Sequence, residues 1–254
     1  RGRPAALRGM SGAAEALAEA LTSRADEYVT AFRFATDARR IAIGDAAGRI
    51  AVLDAADGTV LARHEADSRG VLAVDWRPAI ARDGPPDFAV GGKSGVVRCY
   101  GAKGLEAEAA LDGDWIEQLA WHPDGTRLVA TQGRHVVLLD ARGAGLGASP
   151  PLASTVTGLA WRAGGRQLVT ACYGGVAVHD AASLAITRRF KWTGSMVSLA
   201  LSPNDKVVAC GCQDASVHFW RFADGHDAQM SGYPAKPKSL SFSADSRWLA
   251  TGGA

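Results

Sequence analysis

The chain has 254 residues, a net charge of +2, 47% hydrophobic residues and 21% charged residues, which is typical of a soluble globular protein. No block of like charges indicates a polyanion partner, so nucleic acid binding is not favoured beyond a local patch. No stretch approaches the roughly 20 apolar residues that span a membrane, and the four cysteines lack the paired spacing of a zinc site.

Residues 1–28 stand apart from the rest of the chain and are predicted to form a partly helical extension. No signal peptide pattern is visible in them. Apolar residues recur there at helical spacing: Ala14, Leu17, Ala18 and Leu21. The remaining residues, 29–254, are predicted to form a single domain.

From residue 29 onward the chain contains an internal repeat. The segments "IEQLAWHPDGTRLVATQGRHVVLLD" and "VTGLAWRAGGRQLVTACYGGVAVHD" align without gaps. One anchor column occurs in all six units: Phe34, Trp76, Trp121, Trp161, Leu201 and Phe242. Successive members lie 42, 45, 40, 40 and 41 residues apart, and the value of 45 is explained by a Pro/Gly-rich insertion within "AIARDGPPD". A period near 40 residues is expected for four-stranded propeller blades.

Each unit shows period-two alternation and no helical stripe, which favours strands. An apolar run such as Leu119–Ala120–Trp121 is followed by a Pro/Gly turn, clearest in His122–Pro123–Asp124–Gly125. Second and third runs follow, separated by a Gly- or Asp-bearing turn, and a more polar fourth run precedes the next unit. The pattern predicts an all-β protein whose antiparallel blades have inner, middle, middle and outer strands.

These units resemble the WD-repeat propeller family. Ser202–Pro203–Asn204–Asp205 matches the family's first turn, Asp214 matches its turn aspartate, and Trp220 matches its tryptophan. The family's Gly-His dipeptide is absent, so its buried His–Ser/Thr–Asp–Trp network cannot form, and packing is expected to replace it. The resemblance implies six units over residues 29–254, the sixth truncated, of a propeller that commonly has seven.

No catalytic, metal or cofactor site is predicted. The histidines are dispersed, and the sequence contains no Gly-x-Ser-x-Gly elbow. The Gly-Lys-Ser at residues 92–94 lacks the preceding glycine of a phosphate loop and aligns with a turn of the repeat. Cys210 and Cys212 align with small core residues, which predicts packing.

The tryptophans of the anchor column and Trp220 are predicted to lie in the core, and Trp248 is predicted to pack beside a middle strand. Trp115 and Trp192 precede inner strands. In a propeller these loops, with the turns between the second and third strands, form one rim of the central channel. Eight residues are therefore predicted as partner contacts on this rim: Asp45, Lys93, Trp115, Arg134, Tyr173, Trp192, Asp214 and Tyr233.

The resemblance implies a cytoplasmic, non-enzymatic scaffold that binds a protein or peptide on the rim and requires no cofactor or membrane. Two alternatives stay open. One is an enzyme or small-ligand binder that uses the central channel, which would need converging acid, base or metal-binding groups. The other is a regulatory platform within a larger multidomain protein. A fold alone does not choose among them.

Overall fold

The fold was examined in a computed structural model that describes residues 27–78, 87–113 and 115–253. Apart from a short 3₁₀ helix, Ala163–Gly165, the regular elements of these residues are all strands. The all-β prediction is therefore confirmed. The predicted helical extension, residues 1–28, lies outside the described residues except for Glu27 and Tyr28, as does most of the predicted insertion after Trp76.

The first three blades are complete four-stranded antiparallel sheets in chain order. Their strands are β1 (Val29–Phe34), β2 (Arg40–Asp45), β3 (Arg49–Asp54) and β4 (Val60–Glu65) in blade 1; β5 (Val71–Trp76), β6 (Phe88–Gly92), β7 (Val96–Gly101) and β8 (Gly104–Ala110) in blade 2; and β9 (Leu119–Trp121), β10 (Arg127–Gln132), β11 (His135–Asp140) and β12 (Gly145–Ala148) in blade 3.

Blades 4 and 5 are joined by continuous strands. The remaining strands are β13 (Gly158–Arg162), β14 (Gln167–Asp180), β15 (Ile186–Leu201), β16 (Val207–Cys212), β17 (Val217–Arg221), β18 (Asp227–Met230), β19 (Pro237–Phe242) and β20 (Leu249–Gly253). β14 supplies both middle strands of blade 4, because its first part pairs with β13 and its second part with β15. β15 then forms the outer strand of blade 4 and the inner strand of blade 5. β19 and β20 are the described strands of blade 6.

The anchor column keeps one register throughout the six blades. Each anchor residue pairs with an apolar residue near the start of the second strand: Phe34 with Ile41, Trp76 with Phe88, Trp121 with Leu128, Trp161 with Leu168, Leu201 with Val208 and Phe242 with Leu249. The repeat alignment made from the sequence is therefore confirmed, including the insertion between Trp76 and Phe88.

Apolar side chains form the core between neighbouring blades. Four buried clusters occupy the interfaces between blades 1 and 2, 2 and 3, 3 and 4, and 4 and 5. The anchor tryptophans Trp76 and Trp121 are buried, Trp161 is partly buried, and Trp220 is buried, as predicted. The Trp76 indole also donates a hydrogen bond to the Arg33 carbonyl of the preceding blade, at 3.0 Å.

Polar contacts connect successive blades at the end opposite the predicted rim. The residue after each anchor tryptophan reaches the turn of the next blade. Arg77 Nε donates to the Gly125 carbonyl at 2.6 Å, and Arg162 Nη2 donates to the Asp205 carbonyl at 3.0 Å. His122 Nε2 lies 3.0 Å from the Gly165 carbonyl. These contacts link the turns of successive blades.

Candidate functional site

The predicted rim residues lie on one end of the blades. The loop before each inner strand contacts a turn between second and third strands through the backbone. Lys93 N donates to the Gly70 carbonyl at 3.0 Å, Ile116 N to the Gly92 carbonyl at 3.0 Å, and Val156 N to the Gly133 carbonyl at 2.9 Å. Because these bonds are between backbone groups, they can hold neighbouring loops together while the exposed side chains differ from blade to blade.

Three of the predicted rim residues, on blades 2 to 4, are exposed or partly exposed. Trp115, on the loop before β9, is 51% exposed, and Lys93 Nζ lies 5.4 Å from the centre of its indole ring. Tyr173 is 54% exposed and lies where β14 reverses, and its backbone N–H donates to Ser154 Oγ. The turn is possible because Gly174 and Gly175 follow with φ values of 92° and 116°.

Three others make side-chain hydrogen bonds within the chain. Asp45 is buried and accepts a hydrogen bond from Arg49 Nε at 2.9 Å. Burial raises the pKa of Asp45, but the hydrogen bonds and charge of Arg49 outweigh it and hold that pKa below its usual value. Asp214 caps its own turn by accepting hydrogen bonds from Ser216. Arg134 is exposed, and its Nε donates to the Leu152 carbonyl at 2.7 Å.

Trp192 is packed inside the blade 4–blade 5 interface rather than free on the rim. Its ring centre lies 4.1 Å from that of His218, which in turn lies 4.3 Å from that of Trp220. His218 is buried, and its Nε2 lies 3.1 Å from Asp227 Oδ2. Tyr233 lies half-buried in the loop between β18 and β19. The rim assignment thus divides into exposed and supporting residues.

A polar network that sequence reasoning missed lies beside Lys93. The Asp67 side chain is 1% exposed. Its Oδ1 accepts the Arg69 N–H at 2.9 Å, and its Oδ2 accepts the Ser94 N–H at 3.1 Å and the Ser94 hydroxyl. Arg98 Nη1 lies 3.8 Å from the same oxygen. Packing alone therefore does not replace the family's network, because this blade uses an aspartate, a serine and an arginine in other positions.

The cysteines are buried, whereas the last tryptophan is exposed. Cys210 and Cys212 are buried in the blade 4–blade 5 core, as predicted, and burial raises the pKa of both thiols. Burial likewise raises the pKa of Cys99 to about 12, so this thiol is a poor nucleophile. The prediction for Trp248 is wrong: it is 71% exposed on the turn before β20, where it borders only the two described strands of blade 6.

The inner strands of all six blades line a central cavity of about 720 Å³. The charged side chains among its lining residues are Arg33, Glu117 and Lys238. Within the described parts of the chain no group of three His, Cys, Asp or Glu side chains is placed to hold a metal ion. The described helices include none long and apolar enough to cross a bilayer. The convergence of acidic groups that the channel alternative requires is not found among the described lining residues.

Asp75 of β5 connects three blades. Its Oδ1 lies 3.1 Å from Arg33 Nε in blade 1, and its Oδ2 accepts the Trp121 backbone N–H of blade 3 at 2.7 Å. Burial raises the pKa of this carboxyl, although the Arg33 charge and the Trp121 hydrogen bond oppose the shift.

This raised pKa predicts a pH dependence of stability. Because the native state binds the Asp75 proton more tightly than the unfolded state, protonation should stabilise the fold as the pH falls from the native pKa toward about 4. We expect the free energy of unfolding of the wild type to rise relative to that of Asp75→Asn over this window. Urea titrations of both proteins at several pH values measure the difference. A difference that stays constant or moves the other way would contradict the assignment.

Comparisons with known proteins agree with the propeller fold. The family model described as "WD domain, G-beta repeat" matches residues 186–221. This segment runs from the outer strand of blade 4 through the third strand of blade 5, so the matched repeat joins two blades. No curated protein sequence matches the chain.

A solved chain from a structure titled "Crystal Structure of Mitotic Checkpoint Complex" is similar in fold. The TM-score is 0.77 at 19% sequence identity, and the alignment covers 91% of this chain and 73% of the other. In all, 1685 chains of solved structure match, so the likeness identifies an architecture rather than a particular function.

Proposed function

We propose that this chain, a β-propeller that carries a WD repeat at residues 186–221, is a non-enzymatic scaffold that binds a protein or peptide on its rim. The observation that carries the proposal is the pair formed by the exposed Trp115 and the partly exposed Lys93. Tryptophan, tyrosine and arginine dominate binding energy at interfaces, so an exposed tryptophan beside a lysine on the rim is a candidate anchor for a partner. The similar solved chain comes from a structure titled as a complex, which supports a protein partner.

The proposed contact residues are those that are exposed or partly exposed and that neither cap a turn nor pack in the core between blades. Trp115 would act as the anchor, with Lys93, Arg134, Tyr173 and Tyr233 around it. Asp45, Trp192 and Asp214 would instead hold the rim in shape through their internal contacts. The mechanism is rigid presentation, because backbone hydrogen bonds fix the loops before a partner arrives and less conformational entropy is lost on binding.

A variant with Trp115→Ala and Lys93→Glu tests the rim assignment. We expect its affinity for the partner to fall by at least about tenfold, which is the loss typical of a truncated interface anchor. The measurement is quantitative mass spectrometry of proteins that co-purify with the wild type and the variant, followed by titration of the recovered partner against both. Thermal unfolding should show nearly the same midpoint for both proteins, because Trp115 is exposed and Lys93 is partly exposed.

The matched control is Trp248→Ala with Lys206→Glu at the other end of the blades. Trp248 is also an exposed tryptophan, and Lys206 is an exposed lysine. We expect this control to bind the partner as the wild type does. Equal binding by the rim variant, or equal loss in both variants, would refute the rim as the binding surface.

A cytoplasmic location belongs to the same proposal. All four cysteines are free and buried, which suits a reducing compartment in which disulfides do not form. Microscopy of the tagged full-length protein would test the location.

A further inference from the structure

The outer strand of blade 4 has a charge pattern unlike those of the other blades. Within residues 186–191 of β15 it carries Arg188, Arg189 and Lys191 and no acidic residue. The other outer strands are acidic, mixed or uncharged: β4 has Arg63, His64 and Glu65, β8 has Glu106 and Glu108, β12 has no charged residue, and β18 has Asp227. Blade 4 therefore has the basic outer strand among the five that the structure describes.

These cations have no acidic partner among the residues that the structure describes. Arg189 and Lys191 are exposed, and no described carboxylate forms an ion pair with either of them or with Arg188. The outer strand of blade 2 differs in this respect, because Glu108 of β8 pairs with Arg98 of its own sheet at 2.6 Å. The charge on blade 4 is thus available to a ligand.

Two arginines of blade 4 are held in fixed positions by contacts with aromatic rings and with blade 5. The Arg188 guanidinium lies 4.5 Å from the centre of the Phe190 ring, and its Nη1 donates to the Phe222 carbonyl. The Arg162 guanidinium lies 3.8 Å from the centre of the Phe222 ring. Burial lowers the pKa of Arg162, and the Arg188 charge lowers it further against the opposing effect of Asp205. The local potential is therefore positive at the boundary between blades 4 and 5.

The backbone of this strand also has a free edge. Residues 186–191 pair with β14 on one side, and none of the described strands pairs with their other side. Such an edge can accept an added strand through main-chain hydrogen bonds. Because side chains alternate along a strand, Arg189 and Lys191 share one face, and Arg188 lies on the other.

We infer that the outer edge of blade 4 binds an acidic protein segment, which adds in extended form beside residues 186–191 and places carboxylates opposite Arg189 and Lys191. An acidic peptide fits better than a single-stranded nucleic acid, which needs exposed aromatic rings for base stacking. Phe190 is buried, and Trp192 is packed on His218. This surface adjoins the rim at Lys191, which precedes Trp192 and pairs with Gly175, but the inference does not depend on the function proposed for the rim.

The probe for this surface is a short fluorescent peptide with glutamate at every second position and valine or threonine between. We expect anisotropy titrations to show saturable binding that weakens as salt is added. The variant Arg189→Glu with Lys191→Glu should bind at least about tenfold more weakly, because two attractive pairs become repulsive. Both side chains are exposed, so the variant should unfold at the wild-type temperature.

Three controls make the test decisive. Arg63→Glu removes an exposed arginine from the outer strand of blade 1 and should leave binding unchanged. A peptide with glutamine in place of glutamate should bind weakly, and one with N-methylated alternate amides should lose binding, because it cannot add as a strand. Absence of binding, equal loss in Arg63→Glu, full binding by the methylated peptide, or tighter binding of a single-stranded oligonucleotide would each overturn the inference.

Discussion

Asp67→Ala is expected to lower the free energy of unfolding by about 3 kcal/mol, measured by urea denaturation. The substitution leaves three donors without an acceptor: the Arg69 N–H, the Ser94 N–H and the Ser94 hydroxyl. The site is almost closed to solvent, so water cannot replace the carboxylate. Arg98 keeps its ion pair with Glu108, which places the expected loss at the lower end of the range for broken buried pairs.

Two further variants separate the network from a general effect of aspartate removal. Asp67→Asn keeps one acceptor oxygen, so its free energy of unfolding should lie between those of the wild type and Asp67→Ala. Asp37→Ala removes an exposed turn aspartate that accepts only the Arg39 N–H, and about 1 kcal/mol or less should be lost. If Asp67→Ala were no more destabilising than Asp37→Ala, the network would not stabilise the boundary between blades 1 and 2.

The repeat predicted the fold because the same local pattern of apolar residues occurs in each of the six units. The alternation around each anchor residue sets which face of the sheet is buried, and a slip of one residue would turn every side chain to the wrong face. Trp121 must therefore pair with Leu128, and Trp161 with Leu168, once the alignment is made. The insertion after Trp76 changed the spacing but not this pairing.

The contacts between loops could not be predicted in the same way. Asp67 precedes β5 and Ser94 follows β6, 27 residues later, and no repeated pattern links the two positions. Trp192 and His218 belong to different blades and meet only when the sheets stack. Trp248 shows the opposite effect: its position in the repeat predicted packing, but the strands described beside it leave it exposed. A repeat thus predicts strand pairing well and individual loop contacts poorly.

Trp192→Ala is expected to destabilise the protein by about 2 to 3 kcal/mol, below the range for a fully buried tryptophan because this side chain is only half-buried. The indole covers the His218 ring at 4.1 Å and packs against the core of the interface between blades 4 and 5. Its loss opens a cavity and lets water reach a buried imidazole. Urea denaturation of the wild type and the variant measures the difference. The control is Trp115→Ala, which removes an exposed tryptophan and should lower the free energy of unfolding only slightly.

Measuring how Trp192→Phe binds the rim partner distinguishes a residue that supports the rim from one that contacts the partner. Phenylalanine keeps an aromatic face over His218 and should recover most of the lost stability. If Trp192 only supports the rim, Trp192→Phe should bind the rim partner as the wild type does, whereas Trp115→Phe should bind it more weakly. A variant at Trp192 that lost the partner while keeping its full stability would return this residue to the binding surface. The two tryptophans precede inner strands alike in the sequence, and only their burial predicts that they act differently.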